Sequence, residues 1–320
     1  MIGHVTGNCH RPPPCPLDFL DQRVKQGLSS RHSGNRLFYS ADYTDRSPDF
    51  DSQLGFVPRV DIREARHFVN YRWKPAGRRI VSFGPSSRWL VNWDRQGRVQ
   101  EWAGNGEFSL ELPRLTYISL LHGQSYELFE NRGFRQHSTS AFFNTEWLKW
   151  LAVSGSFQHG KGVNYEPAAG LAPFLADSLN GSVNLALRPT SRLRINQTYV
   201  YSRLGTPRAA IFNNHILRTK MNYQFSRRLS LRAILDYNAV LPNESLVDQE
   251  RSKRLTADFL ATYLINPGTA FYVGYTDGYE NLGLANALTP AERRMLRRTV
   301  SPATSTGCRF FAKVSYLFRF

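Results

Sequence analysis

The stretch Phe310-Phe311-Ala312-Lys313-Val314-Ser315-Tyr316-Leu317-Phe318-Arg319-Phe320 has an apolar residue at every second position. Successive side chains of a β-strand point to opposite faces of a sheet, so this period of two predicts a strand with one apolar face. The apolar row consists of Phe310, Ala312, Val314, Tyr316, Phe318 and Phe320. A buried last strand of a soluble sandwich would also alternate, but it gives no reason for a terminal aromatic residue. Aromatic girdles are typical of membrane barrels.

The same alternation recurs through much of the chain. Leu217–Phe225, Leu255–Ile265 and Phe271–Tyr275 alternate apolar with mostly polar residues. Many candidate strands are longer than the roughly six residues of a sandwich strand and reach the 9–11 or so of a membrane strand. In the first half the candidates cover 35–44, 60–73, 79–93, 99–112, 115–128 and 134–147. With about eight further strands we predict roughly fourteen in all, and Pro290–Arg298 is the best candidate for a short helix.

Connectors in the second half are predicted to alternate between tight and long. The tight ones are 189–191, 226–228 and 266–268, and the longer ones are 160–176, 205–211, 241–251 and 279–304. Outer-membrane barrels have an even number of strands, short periplasmic turns and longer extracellular loops. The sequence therefore predicts an all-β, antiparallel up-and-down transmembrane β-barrel in the bacterial outer membrane. The visible strands are an incomplete set if other strands precede them.

The composition argues against a helical membrane protein. The chain has 320 residues, 41% of them hydrophobic, and its mean hydropathy is -0.42. No run approaches the roughly 18 apolar residues of a spanning helix. Barrel strands carry apolar residues only at alternate positions, so their mean hydropathy stays near neutral.

The net charge of +16 and the pI near 10.1 raise the question of nucleic acid. Basic residues are spread along the chain and often alternate with apolar ones, as around Arg218, Lys220 and Arg232. A nucleic-acid-binding arm or helix would concentrate them. We therefore expect no nucleic-acid partner.

No motif points to catalysis or to a cofactor. Gly155–Gly162 reads GSFQHGKG, which lacks the Ser or Thr of a phosphate-binding loop, and no helix is predicted after it. His122, His137, His159 and His215 lack zinc spacing, and there is no nucleophile elbow. Cys9 and Cys15 could pair and leave Cys308 over, but unpaired cysteines without function are the simpler interpretation. We expect neither an enzyme nor a cofactor or metal site.

Residues 1–34 differ from the rest of the chain. They contain no apolar core that could serve as a signal peptide, which an outer-membrane protein requires. Either the chain is a fragment of a longer precursor or its start codon is misassigned, and we take it as a fragment. We divide it into a poorly structured or misassigned amino-terminal segment, 1–34, and a barrel, 35–320.

Four stretches resemble an uncharacterised family of bacterial outer-membrane barrels. They are LGFVPRVD at 54–61, TEWLKW at 145–150, NYEPAAG at 164–170 and YLFRF at 316–320. In longer members the barrel follows a family-nine-type carbohydrate-binding domain, so the resemblance implies, by analogy, a role connected with carbohydrate. It runs from about residue 35 onwards and carries over no site residues. The last strand also resembles the carboxy-terminal signal read by the barrel-assembly machinery, which implies that machinery and outer-membrane lipid as partners.

The strand period assigns candidate residues to the interior of the barrel. If Leu217, Met221, Tyr223, Phe259 and Phe271 face lipid, the alternating residues line the lumen. These are Arg194, Arg218, Lys220, Asn222, Gln224, Arg232 and Asp258. Their charge is mostly positive and predicts a preference for anionic or acidic saccharide solutes. The competing interpretation is that they pair with carboxylates such as Asp236 and Asp258 and close a packed interior.

Three functions stay open at this point. The first is surface binding or uptake of a solute such as an oligosaccharide. The second is a membrane-embedded hydrolase, for which no catalytic residues can be nominated. The third is a soluble β-sandwich that serves binding or adhesion. Heat-modifiable migration of membrane-extracted protein separates the third from the other two.

Overall fold

A computed structural model describes residues 25–48, 60–284 and 296–317. The strands of these ranges are β1 Lys25–Ser33, β2 Leu37–Arg46, β3 Ile62–Tyr71, β4 Ser82–Trp93, β5 Val99–Leu112, β6 Thr116–Phe129, β7 Arg132–Leu148, β8 Leu151–Asn164, β9 Phe174–Thr190, β10 Leu193–Gly205, β11 Ala210–Gln224, β12 Leu229–Pro242, β13 Ser252–Asn266, β14 Thr269–Glu280, β15 Leu282–Leu284, β16 Leu296–Arg298 and β17 Thr304–Tyr316.

Fifteen of these strands form one sheet in chain order, β1 to β14 followed by β17, and neighbouring strands are antiparallel. The short pair β15 and β16 forms a separate hairpin within the β14–β17 connection. The predicted all-β, antiparallel up-and-down architecture is confirmed. β1 and β17 are the two edges of the sheet, and no ladder joins them among the described residues.

The described part of the chain contains no helix. The helix predicted over 290–298 is wrong for its last three residues, because Leu296–Arg298 pair with Leu282–Leu284 as a hairpin. Residues 290–295 lie outside the described ranges. No helix of the described ranges is long and apolar enough to cross a membrane.

From residue 35 onwards the large sheet contains fourteen strands, β2–β14 and β17, which matches the number predicted from the sequence. The fifteenth is β1, which lies within the segment 1–34. Its own alternation is weak, and its nine residues pair in register with β2. Long-range pairing rather than a local pattern therefore specifies this strand.

The connectors lie at two ends of the sheet, which we call the turn end and the loop end. The turn end comprises connectors 34–36, 72–81, 113–115, 149–150, 191–192, 225–228 and 267–268. The loop end comprises 47–61, 94–98, 130–131, 165–173, 206–209, 243–251 and 281–303, in which 49–59 and 285–295 are not described. The predicted tight turns near 190, 227 and 267 are found at the turn end.

The alternation of tight and long connectors is not strict in the first half. The β3–β4 connector at the turn end, 72–81, is longer than the β6–β7 connector at the loop end, 130–131. Glu130 and Asn131 both have positive φ, 49° and 60°. Two successive residues of this kind make the tightest hairpin turn that matches the twist of the strands.

The register of the ladders sorts the side chains into two faces, since residues directly opposite each other on neighbouring strands share a face. The polar face comprises the even-numbered residues of β2–β4 and β7–β14 and the odd-numbered residues of β1, β5, β6 and β17. The apolar face comprises the other residues of these strands. Each strand thus contributes to both faces.

Glycines allow two close approaches between backbones. A Cβ at Gly160 on β8 would lie 2.0 Å from the carbonyl oxygen of His137, and one at Gly84 on β4 would lie 2.0 Å from that of Tyr71. Cβ atoms do not come this close to backbone atoms in real proteins. Glycine is therefore required wherever the neighbouring strand keeps this position.

Candidate functional site

The polar face holds all seven residues that the sequence predicted for the lumen. The register places Arg194, Arg218, Lys220, Asn222, Gln224, Arg232 and Asp258 on this face. It places Leu217, Met221, Tyr223, Phe259 and Phe271 on the apolar face.

Two rows across neighbouring strands bring several of these residues together. Arg194 lies opposite Asn222, and Asn222 lies opposite Arg232. In the adjacent row Lys220 lies opposite Ile234, which lies opposite Asp258 on β13. The candidate residues therefore form a patch over β10–β13 rather than a single constellation.

Some of the positive charge on this patch is neutralised. The guanidinium group of Arg218 donates to Asp236, its direct cross-strand partner, with Nε 2.7 Å from Oδ2. Asp258 instead accepts a hydrogen bond of 2.6 Å from the hydroxyl of Thr276. The expected pairing with carboxylates thus holds for Asp236, whereas Asp258 bonds a hydroxyl.

Five other cations on the polar face of β10–β14 and β17 form no ion pair with any described residue. They are Arg194, Lys220 and Arg232, together with Arg309 and Lys313 on β17. Arg254 is paired with Glu280 at 2.9 Å. The polar face of β10–β14 and β17 therefore keeps an excess of positive charge.

A cavity of about 650 Å³ opens on this patch at the turn end. Four arginines line it, Arg188, Arg192, Arg194 and Arg232. Its other polar lining residues are Thr190, Ser191, Asn222, Gln224, Ser230 and Thr262, together with Tyr223, whose side chain lies on the apolar face. No carboxylate of the described residues is among its lining groups. Guanidinium groups present several donors in a fixed fork, so the cavity can bind a carboxylate or phosphate group.

The sequence prediction missed Arg188 and Arg192 as part of this cavity. It placed a turn at 189–191, whereas β9 continues to Thr190, which pairs with Leu193. The turn is therefore Ser191–Arg192, and both arginines line the cavity. The run of basic residues around a predicted turn was the signal that could have identified them.

An uncharged polar wall adjoins the cationic patch. On β8 to β10 the polar face carries Ser154, Ser156, Gln158, Ser178, Asn180, Ser182, Asn184, Asn196, Thr198 and Ser202. Neighbouring members bond one another, as Ser156 with Ser182 at 2.7 Å and Ser202 with Asn180 at 2.6 Å. Hydroxyl and amide groups both donate and accept hydrogen bonds, which matches the hydroxyl groups of sugars.

An acidic wall, which the sequence analysis did not single out, lies on β5 and β6. It consists of Glu101, Glu107, Glu111 and Glu127 on the polar face. Two of them accept hydrogen bonds from hydroxyl groups: the Ser82 hydroxyl donates to Glu111 at 2.8 Å, and the Tyr117 hydroxyl donates to Glu107 at 3.2 Å. On the polar face, negative charge therefore lies on β5 and β6, and the excess positive charge lies on β10–β14 and β17.

A loop covers the polar face at the loop end. In the β12–β13 connector, Val247 is only 5% exposed and packs in a cluster with Ala176, Leu204 and Ile211. The backbone carbonyl of Leu246 accepts a hydrogen bond of 2.9 Å from the side chain of Asn164 on β8. The loop thus extends from β12 across the polar face to β8.

A second contact at the loop end joins the β8–β9 connector to β6. The Tyr165 hydroxyl donates to Glu127 at 2.6 Å, and its ring packs edge-on against Phe129 with centroids 5.1 Å apart. Partial desolvation, followed by this hydrogen bond, raises the pKa of Tyr165 to about 12. The phenol therefore stays protonated and remains a donor at neutral pH.

Large apolar side chains of the apolar face are exposed. Among them are Trp89, Phe108, Leu120, Phe157, Val183, Leu217, Leu235, Phe259, Phe271 and Val314. Phe310, Ala312, Val314 and Tyr316 of the predicted terminal row lie on this face of β17, while Phe318 and Phe320 lie outside the described residues. Exposed apolar side chains collected on one face mark a surface that interacts with a membrane or with another protein.

The remaining motifs show no catalytic geometry in the described ranges. Gly155–Gly162 runs straight through β8 and no helix follows it. The histidines singled out from the sequence lie on the apolar face of separate strands, and no metal-binding group of His, Cys, Asp or Glu forms in the described ranges. Cys308 is an exposed free thiol. Cys9 and Cys15 lie outside the described residues.

Comparison with known proteins finds only a distant similarity to solved structures. No protein-family model and no curated protein matches the chain. The ferric enterobactin receptor of Pseudomonas aeruginosa is similar at 10% identity and a TM-score of 0.40, over 83% of this chain and 52% of the receptor. OmpT, an outer membrane protein of Vibrio cholerae, is similar at 10% identity and a TM-score of 0.36, over 91% of this chain and 99% of OmpT. The chain thus spans about half the length of the receptor.

Proposed function

We propose that the chain forms a β-barrel of the bacterial outer membrane, with the apolar face towards lipid and the polar face towards a lumen. The observation that carries this proposal is the consistent separation of the two faces across the sheet. In a sandwich the apolar face would pack against a second sheet. Here one sheet carries large apolar side chains in the open, and most of its strands exceed the length that spans a bilayer.

The proposed role is binding or uptake of an anionic solute, an acidic oligosaccharide being the best fit. The cavity lined by Arg188, Arg192, Arg194 and Arg232 supplies the affinity for a carboxylate or phosphate. The uncharged wall, which adjoins the cationic patch, supplies hydrogen-bonding partners for sugar hydroxyls. We propose no catalytic role and no cofactor.

Heat-modifiable migration and uptake measurements test the proposal. The folded barrel should migrate faster than the boiled protein on a gel, and vesicles containing it should take up an acidic disaccharide faster than the neutral disaccharide of the same size. Absence of heat modifiability would contradict the membrane fold. Equal uptake of both sugars would contradict only the proposed selectivity.

Release of the inward loop should increase uptake. Replacing Val247 by Asp would place a carboxylate among Ala176, Leu204 and Ile211, where an unpaired charge is unfavourable by several kcal/mol. We expect the loop to leave the polar face and single-channel conductance to rise several-fold, because the lumen is no longer narrowed. Gln249→Asp makes a similar charge change at an exposed site of the same loop and should leave conductance unchanged. Equal conductance in both variants would show that the loop does not restrict passage.

Protease accessibility should report the orientation. If the turn end faces the periplasm, trypsin added to intact cells should cut within 279–304, which contains Arg293, Arg294, Arg297 and Arg298. Cleavage at Arg192 or Arg227 in the tight turns should require opened cells. Fragment masses identify the first site, and early cleavage at the turns would mean the reverse topology.

The proposed partners during assembly are outer-membrane lipid and the barrel-assembly machinery. Phe310 and Val314 of the terminal apolar row lie on β17, and they are 70% and 64% exposed to solvent. β17 is also an edge of the sheet, so its outer backbone groups are available for pairing. An assembly factor could bind this edge by adding a strand.

A further inference from the structure

The connectors of the turn end have an unusual charge. All seven lie in the described ranges, and together they contain ten Lys or Arg residues and no Asp or Glu. We call these cations the basic rim: Arg36, Arg72, Lys74, Arg78, Arg79, Arg114, Lys149, Arg192, Arg227 and Arg228. The described connectors of the loop end mix both signs, as with Asp94 and Arg95 or Glu250 and Arg251. The turn end therefore carries ten positive charges in its connectors with no acidic residue among them.

The rim charge is hardly neutralised. Among the described residues its one ion pair joins Arg72 to Glu111 at 4.0 Å. Lys74 donates to the amide oxygen of Asn35 at 3.4 Å, and Arg114 donates to the backbone carbonyl of Trp147 at 3.2 Å. The other rim cations are exposed. The rim therefore presents a row of mostly unpaired positive charge along this end of the sheet.

Tryptophans define the depth of the rim relative to a membrane. Trp73, Trp147 and Trp150 lie in or beside the rim connectors and are 41%, 55% and 50% exposed. The Arg114 guanidinium lies 4.8 Å from the centroid of the Trp147 ring. Tryptophan prefers the boundary between hydrocarbon and headgroups, so the cations beside it lie among the headgroups.

We propose that the basic rim binds the phosphate groups of anionic phospholipids, such as phosphatidylglycerol, in the membrane leaflet next to the turn end. This rests on the proposed membrane function. Arginine and lysine at headgroup depth attract anionic lipids, and the guanidinium fork fits a phosphate. A soluble acidic polymer would also be attracted by the charge, but it would not need tryptophan at the same level. The combination of cations and tryptophan fits a lipid headgroup.

Quenching of tryptophan fluorescence by brominated lipids tests the proposal. The full chain is reconstituted in phosphatidylcholine vesicles that contain brominated phosphatidylglycerol or, at the same mole fraction, brominated phosphatidylcholine. We expect the brominated phosphatidylglycerol to quench about twofold more strongly, because it accumulates beside the rim tryptophans. The variant R78Q/R79Q/R227Q/R228Q should lose this preference. The matched control R98Q/R208Q/R251Q/R297Q removes the same charge at the loop end and should keep it.

Each outcome separates the two proposals. Equal quenching of the unmodified protein by both lipids would overturn the rim proposal and leave membrane insertion intact. Absence of quenching by either lipid would overturn the membrane function and the rim proposal with it. A preference that survives in the rim variant, or disappears in the control, would also overturn the assignment to the rim.

Discussion

In planar bilayers the reconstituted protein is expected to pass chloride in preference to potassium, with a permeability ratio of roughly ten. Five cations on the polar face of β10–β14 and β17 form no ion pair among the described residues, and four arginines line the cavity at the turn end. Low-dielectric walls focus this field on entering ions. The glutamates on β5 and β6 act against it, but neither strand contributes to the lining of the cavity.

Charge reversal in the cavity should invert the selectivity. In R194E/R232E two cations on the same row of the sheet become anions, and we expect potassium to pass more readily than chloride. R208E/R251E makes the same change in charge at the loop end, outside the cavity, and should alter the ratio much less. Cation selectivity of the unmodified protein would contradict the anionic substrate, and absence of any conductance would favour a packed interior.

Gly160→Val should largely prevent folding. The new Cβ would lie 2.0 Å from the His137 carbonyl oxygen and 2.7 Å from the Cα atom of Ser138, so β7 and β8 would have to separate. Their ladder extends from the Ser138–Gly160 pair to the turn at 149–150. We expect a loss of about 3 kcal/mol or more in the free energy of unfolding, measured by urea titration in lipid vesicles.

Gly106→Val is the matched control for this substitution. Gly106 also lies within a strand, β5, but no atom lies within 4 Å of a Cβ built on it. Valine suits a strand, so the control should fold as well as the unmodified protein. Equal loss of folding in both variants would show that the backbone approach at Gly160 is not the cause.

Local periodicity predicted most of the architecture. The alternation in Leu217–Phe225 and Leu255–Ile265 located β11 and β13, because one face of each strand is apolar and the other is polar. The same alternation placed Arg194 and Arg232 on one face without knowledge of the register. The face of a residue depends only on its own strand, so it can be predicted from the sequence.

Features that depend on distant parts of the chain were not predictable. β1 has little alternation of its own, and its strand conformation depends on β2. Val247 packs against Ala176 and Leu204, which are far from it in sequence. No local sequence pattern indicates such a contact. The cavity could not be predicted either, because its lining depends on the register between β9 and β10. The predicted turn was 189–191, whereas β9 continues to Thr190, and this difference determines where Arg188 and Arg192 lie.

The number of strands in the sheet determines the directions of its edges. Every neighbour is antiparallel, so the first and fifteenth strands, β1 and β17, run the same way. A seam made by joining these edges directly would be parallel, with slanted hydrogen bonds, unlike the fourteen antiparallel ladders. Parallel pairing is slightly less stable per residue, so the wall would open first along this seam. In a hydrogen-exchange experiment the amides of β1 and β17 would then exchange before those of β8–β12.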